Sequence, residues 1–175
     1  MRKVEVVPHN PKWHDAYQSE SQRIINALGD NVVAVHHIGS TAIAGIYAKP
    51  IIDILVEVKD LFLLDSYSST QSLSYEAMGE FGIRDRRYFI KYNLDGERTH
   101  HLHMFKADSP QVSRHLAFRD YMRSHPESAR EYSNLKRELA AKYPQNIDRY
   151  MDGKDGFIEL MDRKAARWRS HNQAN

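Results

Sequence analysis

The chain has 175 residues, ten histidines, no cysteine and a formal net charge of +2. The missing cysteine excludes a disulfide framework, a thiolate metal site and a cysteine nucleophile, and the near-balanced charge gives no reason to expect nucleic acid as a partner. No apolar run is long enough to cross a bilayer and none follows Met1-Arg-Lys, so the chain is expected in the cytoplasm without a membrane partner.

In chain order, Val4-Glu-Val-Val7 alternates and reads as a short strand. Asn10-Pro11 reads as a helix N-cap followed by proline at the first helical position. Trp13, Tyr17, Ile24 and Leu28 then recur at helical spacing, and Gly29 suits the C′ position. Val32–Ile38 is a predicted strand running into Gly39-Ser40. Thr41–Tyr47 reads as a turn or short helix, and Pro50–Val58 as a second core strand. Residues 60–78 are mixed, helical at the start, with a Ser-rich middle from Ser66 to Ser74. Arg87–Tyr92 and Thr99–Lys106 read as strands joined at Asn93-Leu-Asp-Gly96, a hairpin turn closing on glycine.

Beyond Pro110 the pattern is helical. Val112, His115, Leu116, Arg119 and Met122 fall on nearby faces, and Ser124-His-Pro-Glu127 has the form of a capping box. Tyr132, Leu135 and Leu139 mark the buried side of the next helix; Ile158, Met161, Ala165 and Trp168 mark that of the last. Ser170–Asn175 is a polar tail expected to fray. Strands first and helices last, with no repeat and no linker, predict one α+β domain spanning 1–175.

The stretch His37–Val56 is where chemistry concentrates. Gly39-Ser40 follows an apolar strand, and small side chains with free backbone N–H groups suit a phosphate. Asp53 sits inside a β-branched run, and a carboxylate on a largely buried strand is costly unless it is paired, hydrogen-bonded or metal-bound. The alternative is a structural acid bonded to the Gly39-Ser40 turn. Arg98-Thr-His-His-Leu-His-Met-Phe105 adds a second cluster. On a strand His101 and His103 share one face while His100 and Leu102 share the other. Two imidazoles so spaced can hold a metal, or a phosphate when protonated; the alternative is two histidines satisfied by the core or by solvent.

These segments, with His115-Leu-Ala-Phe-Arg-Asp-Tyr-Met-Arg-Ser-His-Pro126, resemble the GrpB family. The signature His-Ile-Gly-Ser-Thr, a glycine turn and Ala-Lys-Pro-Ile-Ile-Asp stands at His37–Thr41, Gly45 and Ala48–Asp53. The resemblance implies a fold of the nucleotidyltransferase type, a mixed β-sheet with flanking helices and a helical C-terminal portion. It implies a site where Gly39, Ser40, Thr41 and Lys49 bind the phosphates of a nucleoside triphosphate. Asp53, His101 and His103 would be catalytic residues and ligands of Mg²⁺ or another divalent metal. In that fold a second acid follows two residues after the first, about 6.5–7 Å along the strand, and the two bridge a metal pair. Here the position is Leu55; Glu57 has the right parity but lies too far along. His101 or His103 would replace the fold's later carboxylate, and His36 or His37 should face the same site.

The implied activity is transfer of a nucleotidyl or phosphoryl group to a small acceptor. The alternatives are a module that binds a nucleotide or phosphorylated metabolite without turnover, which Leu55 favours, and a His/Asp metal-dependent hydrolase, which the histidines favour. Arg84, Arg86, Arg87 and Lys91 form a basic run near Tyr88 and Tyr92, able to neutralise polyphosphate or to be a solvated face. Arg119-Asp120 reads as an internal ion pair. Lys154, between Gly153 and Asp155, is expected just before the last helix. Neither a P-loop nor a dinucleotide fingerprint is present, so P-loop ATP hydrolysis is not expected.

Overall fold

The computed structural model describes residues 3–65 and 72–173. Its architecture is α+β: a five-stranded mixed sheet and a helical C-terminal portion. The chain divides into two compact units, one made of Pro11–Gly39 and Ile51–Ser113, the other of Met1–Asn10, Ser40–Pro50 and Arg114–Asn175.

The first unit holds helix α1 (Lys12–Leu28) and strands β1 (Val32–Ile38), β2 (Ile52–Val58), β3 (Tyr75–Ala77), β4 (Arg86–Tyr92) and β5 (Arg98–Lys106), with the short helix α2 (Phe62–Asp65). The strand order is β1-β2-β5-β4-β3. Among the described strands only the β2–β5 pair is parallel. The β-branched run of β2 explains its place: Ile54, Leu55, Val56 and Val58 are fully buried, as a strand hydrogen-bonded on both edges demands. Helix α1 covers the face that carries His37, Ile54 and Lys91. Tyr17 stacks on His37 at 4.8 Å and donates its hydroxyl proton to the Val35 carbonyl, while the Lys91 ammonium donates to Glu20 at 2.9 Å. The opposite face carries Asp53, His101 and His103.

The second unit holds helices α3 (Pro110–Ser124, whose first residues belong to the first unit), α4 (Pro126–Lys142) and α5 (Ile147–Gln173). Ile43, Ile46, Met122, Tyr132, Met161 and Ala165 are among its core residues. Segment 40–50 is tied to this unit by backbone bonds between Val7 and Ala48. Its Tyr47 N–H donates to Ser133 Oγ, and Arg123 Nε donates to the Ala42 carbonyl.

Several expectations shift. Val4–Val7 makes one isolated bridge, Val7 to Ala48, rather than a strand. Helix α1 begins at Lys12, one residue later than expected, with Pro11, itself in helical conformation, at the N-cap position. The expected capping box does not form. Ser124 ends α3, His125 is the N-cap of α4, and His125 Nδ1–H donates to the Tyr121 carbonyl. Thr41–Tyr47 opens with a 3₁₀ turn at Ser40–Ala42. Strand β3 was not anticipated, and residues 66–71 of the Ser-rich middle lie outside those described. Lys154 lies inside α5 instead of before it. Gly153 is not a breaker there: a Cβ would stand 2.5 Å from Leu139 of α4, so the glycine serves helix-to-helix approach. The helix also continues to Gln173, through most of the expected tail, whose last residues 174–175 lie outside those described.

Candidate functional site

Register builds the site. Asp53 pairs with His101 and with Ile38, and Leu55 pairs with His103 and His36. Two successive outward positions of β5 therefore flank one carboxylate. His101 Nδ1 and His103 Nε2 both lie 3.2 Å from Asp53 Oδ1. The ligand atoms of the three residues all lie within 4.8 Å of one another. The side chains retain 28% exposure at Asp53, 15% at His101 and 12% at His103, so the site is sheltered yet reachable.

Gly39 closes the other side of the carboxylate. Its φ is +70°, and a Cβ there would stand 2.8 Å from Asp53 Oδ2. Any larger residue is excluded twice, by conformation and by space. Burial pushes the Asp53 carboxyl upward, but the hydrogen bonds and positive potential of His101 and His103 outweigh it and hold the group well below the usual carboxylate range. Asp53 is therefore an anion at neutral pH. Burial drives His103 the opposite way, below its ordinary value, with Arg86 and His101 adding to the effect and Asp53 opposing it.

Arg86 fixes the state of His103. Its Nη1 lies 3.4 Å from His103 Nδ1. Arginine only donates, so Nδ1 offers its lone pair and the proton of the neutral ring sits on Nε2, directed at Asp53. Arg86 is buried and held by the carbonyls of Glu80 and Phe81. Its guanidinium lies 4.6 Å over the Tyr88 ring, which in turn sits 5.1 Å from His103 and 5.4 Å from His101. His101 gives its Nδ1 proton to Asp53, and its Nε2 is buried with no hydrogen-bond partner among the described residues.

The donor set fits one divalent ion. The carboxylate oxygen lies 3.2 Å from each of the two imidazole nitrogens, a separation that matches an edge of a tetrahedral or octahedral site. Two imidazoles suit zinc, iron or nickel better than magnesium. The outer shell is less accommodating. An ion taken by His103 Nε2 requires the ring proton to move to Nδ1 and Arg86 to turn from it, where metal-binding histidines ordinarily face an acceptor. Leu55, fully buried, offers no second carboxylate.

Other expected residues go elsewhere. His36 stands on the site face and pairs with Glu57 at 2.6 Å; His37 turns to α1. Ser40 and Thr41 belong to the helical unit, and the Lys49 ammonium lies 4.4 Å over the Tyr150 ring. The basic run is dispersed by strand alternation. Arg87 pairs with Asp65, Lys91 with Glu20, and Arg84 is exposed beside Asp85. Arg119 pairs with Asp120 at 2.8 Å. Arg86 and Tyr88 are the site-face residues whose place the sequence reading missed. Their parity on β4 with His103 was the signal available, once pairing was known.

Comparison with known proteins bears on this arrangement. A family model described as GrpB protein matches residues 3–164. The chain is 43% identical over 176 residues to the UPF0157 protein YqkA of Bacillus subtilis (strain 168), covering 99% of this chain and 51% of that protein. It is 32% identical over 160 residues to the glutamate-rich protein GrpB of Alkalihalophilus pseudofirmus, covering 89% and 92%. The chain thus spans about half the length of its Bacillus relative. A crystal structure of the conserved protein GrpB from Enterococcus faecalis superposes with a TM-score of 0.88 at 40% identity, over 93% of this chain and 98% of that one.

Proposed function

We propose, for a chain that belongs to the GrpB family, a nucleotidyltransferase-like site in which Asp53, His101 and His103 hold one divalent ion and act on a phosphoryl or nucleotidyl group. The observation that carries this reading is the approach of both imidazoles to a single, ionised carboxylate oxygen. An anion with two histidines aimed at it and, among the described residues, no lysine or arginine paired with it is poorly explained as a structural ion pair.

A bound divalent ion would supply Lewis-acid polarisation of a phosphoryl oxygen. The chain's own part is separable. Asp53 stays charged at neutral pH and anchors the donor set. His101 and His103 complete it, and in the ion-free protein they hold protons at Nδ1 and Nε2. Gly39 leaves room beside the carboxylate, and its positive φ turns the chain into Ser40 and Thr41. We keep those two residues as candidates for contact with the phosphates of a nucleoside triphosphate. With no second acid at position 55, transfer runs on one ion, and binding should be easier to detect than turnover.

Titration calorimetry with Zn²⁺, Mn²⁺ and Mg²⁺ tests the reading. One equivalent should bind, an imidazole-suited ion more tightly than Mg²⁺. Asp53→Asn and His101→Ala/His103→Ala should weaken it by roughly a hundredfold or more. Pyrophosphate release from nucleoside triphosphates, if found, should need the ion and fall as His103 protonates, below the ordinary histidine range. Ion binding indifferent to these substitutions would sink the proposal. Binding of nucleotide without release would favour the second reading, a non-catalytic module, which the fully buried Leu55 supports.

A further inference from the structure

The sheet unit carries an exposed aromatic ring beside the Asp53 centre. Phe81 lies in the loop between β3 and β4 and is 55% exposed. Its ring stacks on Tyr88, with centroids 5.2 Å apart and planes 21° from parallel. Tyr88 is buried and meets His103 at 5.1 Å and His101 at 5.4 Å. A row of rings therefore runs from the two imidazoles through Tyr88 to Phe81, where it opens to solvent.

The loop holds Phe81 against its own preference. Its φ is +46°, a conformation in which a bulky side chain is rarely found. Gly79 and Gly82, which flank it, take φ +62° and +83° without that cost. Hydrogen bonds sustain the strain. Arg86, whose Nη1 faces His103, donates through its other nitrogens to the Phe81 carbonyl at 2.7 Å and the Glu80 carbonyl at 3.1 Å. The Tyr88 N–H donates to the Gly79 carbonyl, and the Asp85 N–H to Glu80 Oε1, both at 2.8 Å. One guanidinium thus serves His103 and the turn that presents Phe81. A ring needed only to cover Tyr88 would gain by being buried, at a negative φ. Strain over-determined by its surroundings beside a candidate centre points instead to a use for the open face.

We propose that Phe81 is the stacking surface for the base of a nucleotide whose phosphates are engaged at the Asp53 centre, an inference that rests on the phosphoryl-transfer reading above. An aromatic face open to water takes another π-face, and every base has one, so selectivity among bases is weak. The spacing suits a nucleotide. One ring, Tyr88, sets Phe81 back from the histidines, as one sugar sets a base back from its phosphates.

The probes are ATP and inorganic tripolyphosphate, which share a phosphate chain and differ by the nucleoside. Each is titrated calorimetrically into the full chain with Zn²⁺ and again in EDTA. ATP should bind about tenfold or more tightly than tripolyphosphate. Phe81→Asn should remove that advantage while tripolyphosphate binds as before, and thermal stability should hold, because asparagine accepts a left-handed backbone. Phe81→Trp should keep the advantage. Equal binding of the two probes, or an ATP advantage that survives Phe81→Asn, overturns the proposal; so does a loss of stability in Phe81→Asn with the advantage intact, which makes the ring structural. The Asp53 centre is read separately from Zn²⁺ uptake. Uptake lost in Asp53→Asn, with ATP and tripolyphosphate bound equally, overturns the stacking surface alone. Uptake that survives Asp53→Asn overturns the centre, and the EDTA titrations then decide the ring by themselves.

Discussion

The sheet unit and the helical unit bury charge in opposite ways. Around Asp53 one anion is met by two N–H donors, and it is held more ionised than an ordinary carboxylate. Around Tyr150 cations gather on ring faces, and Lys136 is held less ionised than an ordinary lysine. The difference is one of partners rather than of burial. Directed hydrogen bonds compensate a buried charge; aromatic faces compensate it in part. To take an ion, the first cluster must move the protons of both imidazoles away from Asp53.

The largest test of this contrast removes the platform of the cationic cluster. Tyr150→Ala should lower stability by about 3–5 kcal/mol in urea unfolding, through loss of a buried aromatic ring. A loss below about 1 kcal/mol means the ring is not what the lysines rest on. Next, Gly39→Ala should cost about 1–3 kcal/mol, because the side chain must accept φ +70° and displace Asp53. Divalent-ion affinity should fall with it; unchanged affinity in the calorimeter would detach Gly39 from the carboxylate's geometry.

A pH series separates the two clusters by sign. The folded value for Lys136 is about 7 against an ordinary 10.5. The unfolded chain therefore binds more protons between those values, and stability rises with pH across that window and is flat below it. The slope is at most about 1.4 kcal/mol per pH unit. Lys136→Met should remove it; a slope that persists belongs to other groups. The lowered carboxyl of Asp53 acts from the other end: its contribution is present above the unfolded value near 3.9 and is lost as pH falls toward the lower folded value. The finest test concerns Arg86. Arg86→Gln places a carboxamide oxygen where it can accept from His103 Nδ1–H, so divalent-ion affinity should rise several-fold. A fall would show that the guanidinium supports the ion-bound state.

Local pattern carried most of the sheet. The alternation at 101–103 set which histidines share a face, and the β-branched run around Asp53 announced a buried strand. What alternation lacks is pairing. Nothing in the sequence says that β5 lies parallel to β2 in the register that sets His101 against Asp53, or that Arg86 of β4 arrives beside His103. The helical unit misled for a different reason. Lys154, beside Gly153, read as preceding the last helix because the use of Gly153 in close approach depends on Leu139, a residue on another helix. With the helix start misplaced, Lys154 lost its spacing to Tyr150, and the contact between them went unseen.

The parallel pairing of β2 with β5 has a consequence for how this protein can fail. Shifting β5 by one residue would carry His101 and His103 to the α1 side and swing Leu102 and Met104, both fully buried, onto the face of Asp53. Two imidazoles would then lie among the apolar residues beneath α1, and the carboxylate would lose both donors at once. A misthreaded chain of this kind is penalised by the core itself. Well-folded variants that lack the Asp53–histidine contacts should therefore arise by substitution at Asp53, His101 or His103, while insertions and deletions in the Asn93–Glu97 turn should be recovered mainly as unfolded protein.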